Sequence, residues 1–279
     1  MIKTDGVLVR GVTSVDYELF LLLKRHVNQV AVYSTSDYQL HVLRHLNVPV
    51  YEPNDYCDIT SCVRRKCLYM SDYDNRCIHR YALSSSATSK WPLSFEPLGL
   101  SVTPNGNLLV ACDRHRKLVE LSAESIAQVR EISLQPWYIK GPWHGVQLAN
   151  GQFVVCHGWE RIGNDLHPVR MVDDDDGRVT RSYGGEMGFG DGKLRSPCHL
   201  AVDEDSQLIF VADCRNDRVV VLSPTLEFMR YISEGMSRPF RLYLDQTTRR
   251  LCVAQYDGDV IVIQLSMSRD CMSMTSSTC

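Results

Sequence analysis

Residues 208–223 read LIFVADCRNDRVVVLS: an apolar run, a turn rich in Asp, Asn and Arg, and a second apolar run. β-Branched runs of this length, bounded by turn-forming residues, are the two strands of a hairpin. Related segments occupy 19–34 (LFLLLKRHVNQVAVYS), 67–82 (CLYMSDYDNRCIHRYA) and 108–122 (LLVACDRHRKLVELS), and weaker copies run through 153–172 and 251–265. With Asp213 as the reference column, the equivalent positions are Lys24, Asp72, Cys112, His157, Asp213 and Gln255, spaced by 48, 40, 45, 56 and 42 residues. A repeat of that length, made of short strands without a helical stripe, is a propeller blade. Six copies predict an all-β, six-bladed propeller of four-stranded antiparallel blades.

Outward from the hairpin, each unit has room for an inner and an outer strand. Inner strands open after Pro or Gly at 97–102, 197–202 and 239–244 and turn at Pro104-Asn105-Gly106, 203–205 and 245–248, residues suited to tight reversals. Outer strands fit 40–46, 126–132, 178–183 and 226–232. The blade limits are about 9–47, 48–92, 93–135, 136–186, 187–234 and 235–265, one propeller domain over 1–265. The last unit lacks an outer strand, and residues 266–279 (SMSRDCMSMTSSTC) have the composition of a disordered tail. An open edge invites aggregation, so residues 1–9 are expected to pair there and close the ring.

No run of about eighteen apolar residues is present, which excludes a spanning helix, and the start lacks the apolar core of a secretory signal. A cytoplasmic, membrane-free protein is the expectation. The eleven cysteines are odd in number and scattered, as reduced core thiols are. Cys57, Cys62 and Cys67 are spaced too widely for the CxxC knuckle of a zinc site. A net charge of −3 does not announce a nucleic-acid binder.

Pro197, Leu200, Ala201, Val202 and Asp203, followed by Val211, Ala212, Asp213, Asn216, Arg218 and Val219, resemble the repeat of the NHL family of six-bladed propellers. The second and third units carry the same columns at Asp72 to Asn75 and at His115. The fourth departs at His157 and the insertion 158–168, and the first and sixth keep only the apolar frame. The resemblance implies the propeller fold and the substrate-recognising end of tripartite-motif ubiquitin ligases. RING, B-box and coiled-coil patterns are absent from this sequence, so the implied role is a reader acting in trans.

The turns between second and third strands, and the linkers between blades, fall on one face of a propeller. That face collects Arg25, His26, Arg76, Arg114, His115, Arg116, Lys117, Arg161, His167, Arg215, Arg238 and Arg241, interleaved with Tyr73, Trp137, Tyr138, Trp143, Trp159, Phe240 and Tyr256. Arginine suits carboxylates, phosphates and aromatic faces, so a protein or peptide ligand is the expected partner. Single-stranded RNA, held by arginine on phosphate and aromatic stacking, is the alternative. Trp143 and Trp159 are either blade-edge plugs or anchors. Asp72, Asn75, Asp213 and Asn216 are turn-formers, and Asp173 to Asp176 form a solvated turn rather than a calcium loop. Asp58, His144, His199 and Arg241 open inner strands near the central channel, where two imidazoles and a carboxylate suit zinc. They stand in no repeated register, and no phosphate loop, nucleophile elbow or HExxH motif occurs. A monomer without catalysis and without a cofactor is therefore expected.

Overall fold

A computed structural model of the chain describes residues 1–23, 29–45, 58–139, 141–157 and 166–265. Six antiparallel meanders follow one another. The first is β1 (Val9–Val15), β2 (Glu18–Leu23), β3 (Gln29–Ser34) and β4 (Leu40–His45). The second is β5 (Ile59–Cys62), β6 (Cys67–Asp72), β7 (Cys77–Ala82) and β8 (Thr88–Pro92). The third is β9 (Leu100–Val102), β10 (Leu108–Cys112), β11 (Lys117–Leu121) and β12 (Gln128–Ser133). The fourth is β13 (Pro142–Gln147), β14 (Phe153–His157), β15 (Val169–Val172) and β16 (Val179–Tyr183). The fifth is β17 (Pro197–Val202), β18 (Ile209–Asp213), β19 (Arg218–Leu222) and β20 (Phe228–Ile232). The sixth has three strands, β21 (Pro239–Asp245), β22 (Arg250–Gln255) and β23 (Val260–Gln264).

Each innermost strand touches that of the next sheet, and β21 touches β1. The sheets therefore form a closed propeller. Its apolar core lies between neighbouring blades, as in the cluster of Val15, Phe20, Val30 and Val32 against Ile59, Leu68, Met70 and Tyr81. This placement explains the repeat. Middle strands such as β18 and β19 are buried along their whole length because both faces are covered, so they are written as unbroken apolar runs. Outer strands such as β8 and β16 are largely exposed and carry polar residues. Asp72, Cys112, His157, Asp213 and Gln255 each end the second strand of their blade. The outer strand β8 has no counterpart in the sequence reading, and β9 is shorter than 97–102.

The ring closes through a clasp rather than a full N-terminal strand. Ile2 and Val260 exchange both backbone hydrogen bonds, at 2.8 and 2.9 Å, Thr4 Oγ1 donates to the Gly258 carbonyl at 2.7 Å, and Lys3 pairs with Asp259. Gly258 has φ +109°, and a Cβ there would stand 2.3 Å from the Val7 carbonyl oxygen. Replacing Gly258 by alanine is expected to lower stability by about 1–3 kcal/mol. At Gly192, also at positive φ but with nothing within 4 Å, the same change is expected to cost about 1 kcal/mol or less. Thermal unfolding of the two variants checks the difference.

Candidate functional site

The repeat motif builds its own turns. Asp213 Oδ2 accepts from Asn216 Nδ2 at 2.8 Å and from Arg218 Nε at 2.9 Å, while its Oδ1 accepts the Arg195 amide. Asp72 likewise holds Asn75 and His79. Arg76, Arg116 and Asp217, each just before a third strand, adopt positive φ of 48°, 51° and 52°. Three equivalent turns thus present their side chains at the same rim.

Between the second and third blades, two guanidinium groups and an imidazole converge on one scarcely accessible carboxylate. Arg76 Nη2 lies 2.8 Å from Glu96 Oε1, Arg114 Nη1 3.9 Å from it, and His115 Nδ1 3.6 Å from Oε2. The Arg76 and Arg114 side chains stay 58% and 65% exposed. The Arg114 guanidinium also covers Tyr73 at 5.5 Å. The Arg116 carbonyl accepts the Leu134 amide, which ties this turn to the linker that carries the exposed Trp137 and Tyr138.

Other named residues divide by burial. Arg215, Arg238 and Tyr256 are exposed, with Arg238 over the Tyr256 ring at 4.8 Å. Lys117 is drawn to Glu131 at 2.8 Å and lies over Phe95. Tyr73, Trp143, Phe240, Arg241 and His167 are buried; Trp143, Phe240 and Arg241 pack beneath the rim because the first residues of an inner strand turn toward the axis and the neighbouring blade. Arg25, His26, Trp159, Arg161 and Cys57 lie outside the described residues. The sequence reading passed over Phe189, which is exposed with the Arg195 guanidinium over it at 4.6 Å; its glycine-rich linker disguised it. On the opposite rim, Asp173 and Asp176 accept backbone amides of their own turn, and Asp174 pairs with Arg130.

The axis is held by Asp58. Its Oδ1 accepts the Ile59 amide at 2.9 Å and faces Arg241 Nε at 3.4 Å. Oδ2 accepts the Leu100 amide at 3.0 Å and faces His199 Nε2 at 3.4 Å and His144 Nε2 at 4.0 Å. The two imidazoles stack with centroids 3.7 Å apart. A Cβ on Gly99 would meet the Trp143 carbonyl oxygen at 2.3 Å, so only glycine lets the third blade approach His144 this closely. Burial pushes the Asp58 carboxyl upward, but His199, Arg241 and His144 outweigh it and hold it well below the carboxylate range. Burial, then the neighbouring His199, drives His144 down to about 3. Burial also depresses His199, against the opposing pull of Asp58. An ionised carboxylate and a guanidinium thus sit beside a stacked pair of neutral imidazoles.

Asp58, His144 and His199 do come together, with potential ligand atoms within 4.8 Å of one another. Their hydrogen bonds already engage the carboxylate and three of the four ring nitrogens. His199 Nδ1 receives the Leu242 amide, at 3.4 Å, which places the imidazole proton on Nε2, facing Asp58. His144 Nε2 faces the Leu100 carbonyl at 3.0 Å and is likewise N–H. With these tautomers the nitrogens turned toward the carboxylate act as donors, and Arg241 supplies a cation beside it. In the second buried group, Cys77 and Asp72 both approach His79 Nε2, at 3.4 and 2.9 Å, and burial pushes the Cys77 thiol up to about 12. That arrangement does not yield a thiolate nucleophile.

A cavity of about 490 Å3 extends along the axis from this cluster toward the turns that join first to second strands. His144, His199, Leu100 and Leu242 line it near the cluster, and Arg64, Pro104, Glu204 and Gln246 line it at those turns.

The chain is a six-bladed β-propeller. No family model matches it, nor does any curated protein, so the NHL resemblance rests on the residues quoted above. Among solved structures it is similar to hydrazine synthase of Kuenenia stuttgartiensis, with a TM-score of 0.66 and 13% identity over 96% of this chain and 98% of that one. A streptogramin B lyase gives 0.63 and 10%, over 96% and 86%. Virginiamycin B lyase of Staphylococcus aureus gives 0.61 and 9%, over 96% and 87%. At such identities the likeness is one of fold. It nevertheless corrects the expectation that the chain is no enzyme: rings of this architecture carry lyases and a synthase, so neither the fold nor the missing motifs exclude catalysis. No helix among the described residues is long and apolar enough to cross a membrane.

Replacing Asp58 by asparagine leaves the Arg241 charge buried without its counterion and is expected to lower unfolding free energy by about 3–5 kcal/mol. A chelator is expected to leave the melting temperature of the unmodified protein unchanged. Denaturant titration and thermal melting check both. Acid should also unfold the ring early. Unfolded histidine takes up a proton near pH 6.5, whereas buried His144 and His157 do so only at about 3. Between those values the unfolded state binds more protons, so stability is complete above about pH 6.5 and falls as pH drops. Melting temperatures from pH 7.5 to 4 should decline, and less steeply in His157→Gln.

Proposed function

We propose that the ring is a recognition module that binds an acidic protein or peptide segment at the rim bearing Arg76, Arg114, His115 and Arg116, beside Trp137 and Tyr138. One observation carries this reading: two guanidinium groups share the single carboxylate of Glu96 while most of each side chain remains exposed. The surplus positive charge is anchored in place, so little side-chain freedom is lost when a ligand carboxylate arrives. Trp137, 88% exposed, supplies apolar area at the edge of the charge, the pairing on which interface anchors depend. The NHL resemblance favours the same rim, and in that family's manner the bound segment would be a substrate presented to a ubiquitin ligase.

The test is fluorescence anisotropy with a labelled glutamate-rich peptide and with oligouridine, each at two salt concentrations. Binding of the peptide, weakened at least about tenfold in the Arg76→Ala/Arg114→Ala variant with its melting temperature retained, is expected; a loss of about 1.4 kcal/mol corresponds to that factor. Tight, strongly salt-dependent binding of oligouridine without the peptide would replace this reading with RNA recognition.

A further inference from the structure

Two thiols face each other at the turn between β5 and β6. Cys62 ends one strand and Cys67 begins the next, and they are partners in register. Both are buried, in the same apolar cluster, and both are free. Opposed residues of an antiparallel pair point to one face, with Cα atoms about 4.5–5.5 Å apart, inside the roughly 4.4–6.8 Å that a disulfide spans. Among the described cysteines, no other two are paired across strands.

Their surroundings are unequal. Arg65 Nη1 lies 3.8 Å from Cys62 Sγ, so a positive charge faces the sulfur. The Cys67 thiol donates to the Arg65 carbonyl at 3.1 Å, and burial raises its pKa. Cys62, with Val63 and Arg64, lines the axial cavity, which gives a small oxidant a route to one sulfur of the pair.

We propose that Cys62 and Cys67 form a peroxide-responsive dithiol, with Cys62 attacking and Cys67 resolving. The Cys62 thiolate attacks one peroxide oxygen and the O–O bond breaks. Cys62 becomes a sulfenic acid, and the departing hydroxide leaves as water with the proton that the thiol gave up. Cys67 sulfur then attacks Cys62 sulfur; the S–S bond forms, the S–O bond breaks, and the hydroxyl leaves with the Cys67 proton as a second water. Two thiols are oxidised and one peroxide is reduced to two waters. Drawing Cys62 toward Cys67 takes it from Arg65, whose Nη1 and Nη2 reach the Gly106 carbonyl at 2.8 Å and Glu124 at 3.1 Å on the next blade. Oxidation therefore acts on the seam between the second and third blades.

Arg64, Arg65 and Lys66 lie between the two cysteines, so trypsin separates them unless a disulfide holds the fragments together. Reduced protein is treated with hydrogen peroxide, alkylated, digested and analysed by mass spectrometry. A joined fragment two hydrogens lighter than its parts, released by dithiothreitol, is expected. In Cys67→Ser, dimedone should label Cys62; in Cys62→Ser, neither the cross-link nor a label on Cys67 should form. Complete alkylation of Cys62 and Cys67 at a peroxide dose that oxidises other thiols would overturn the proposal. So would the absence of dimedone on Cys62 in Cys67→Ser, once thermal melting shows that variant folded.

Discussion

Everything in this ring converges on the carboxylate of Asp58. A propeller has no central core of its own, because each blade packs against its two neighbours and the axis is left as a seam of strand edges. Asp58 fills that seam with directional bonds, reaching the third blade through the Leu100 amide, the fifth through His199 and the sixth through Arg241. His144 brings in the fourth. A charge this deeply buried is tolerable only when paired and hydrogen-bonded, and each condition is met by a different blade. The cost of burying the ion thereby becomes a requirement that the blades be in their proper order.

That arrangement also separates the two ends of the axis. Toward the second-to-third-strand turns the cluster is capped by packed side chains such as Phe240 and Trp143, and the exposed arginines and aromatics lie on the rim above them. Toward the other turns lies the cavity, lined by apolar side chains such as Leu100 and Leu242 with Arg64, Glu204 and Gln246 at its far end. The rim and the cavity can change residues without touching the blades' apolar interfaces, which is how one architecture comes to serve lyases and a synthase as well as the recognition role proposed for this chain.

The blade repeat was legible because the middle strands are covered on both faces, which asks for runs such as Val219 to Leu222 beside Ile209 to Ala212, and because short turns rather than helices join them. The Asp-x-x-Asn-x-Arg turn was legible for the same local reason, since Asp213 satisfies Asn216 and Arg218 within five residues. The axial group was visible only as proximity: sequence brings Asp58, His144, His199 and Arg241 to the channel, but the positions of the imidazole protons depend on the Leu242 amide and the Leu100 carbonyl, which no side-chain pattern encodes. Phe240 belongs to the loop face by its place in the sequence, because its strand start adjoins a linker, whereas the inward turn at that start buries it together with Trp143 and Arg241. Cys62 and Cys67 were read by linear spacing as a failed zinc knuckle. A four-residue turn places them opposite one another instead.

The clasp at Ile2 and Val260 joins residues separated by nearly the whole chain, while every other seam unites blades that are consecutive. Closing a loop of that length forfeits about 5 kcal/mol of chain entropy, a large fraction of what a folded domain retains in total. The sixth and first blades therefore meet at the seam where the circle parts most readily, and amide protons flanking it should trade with solvent sooner than those on the far side of the wheel.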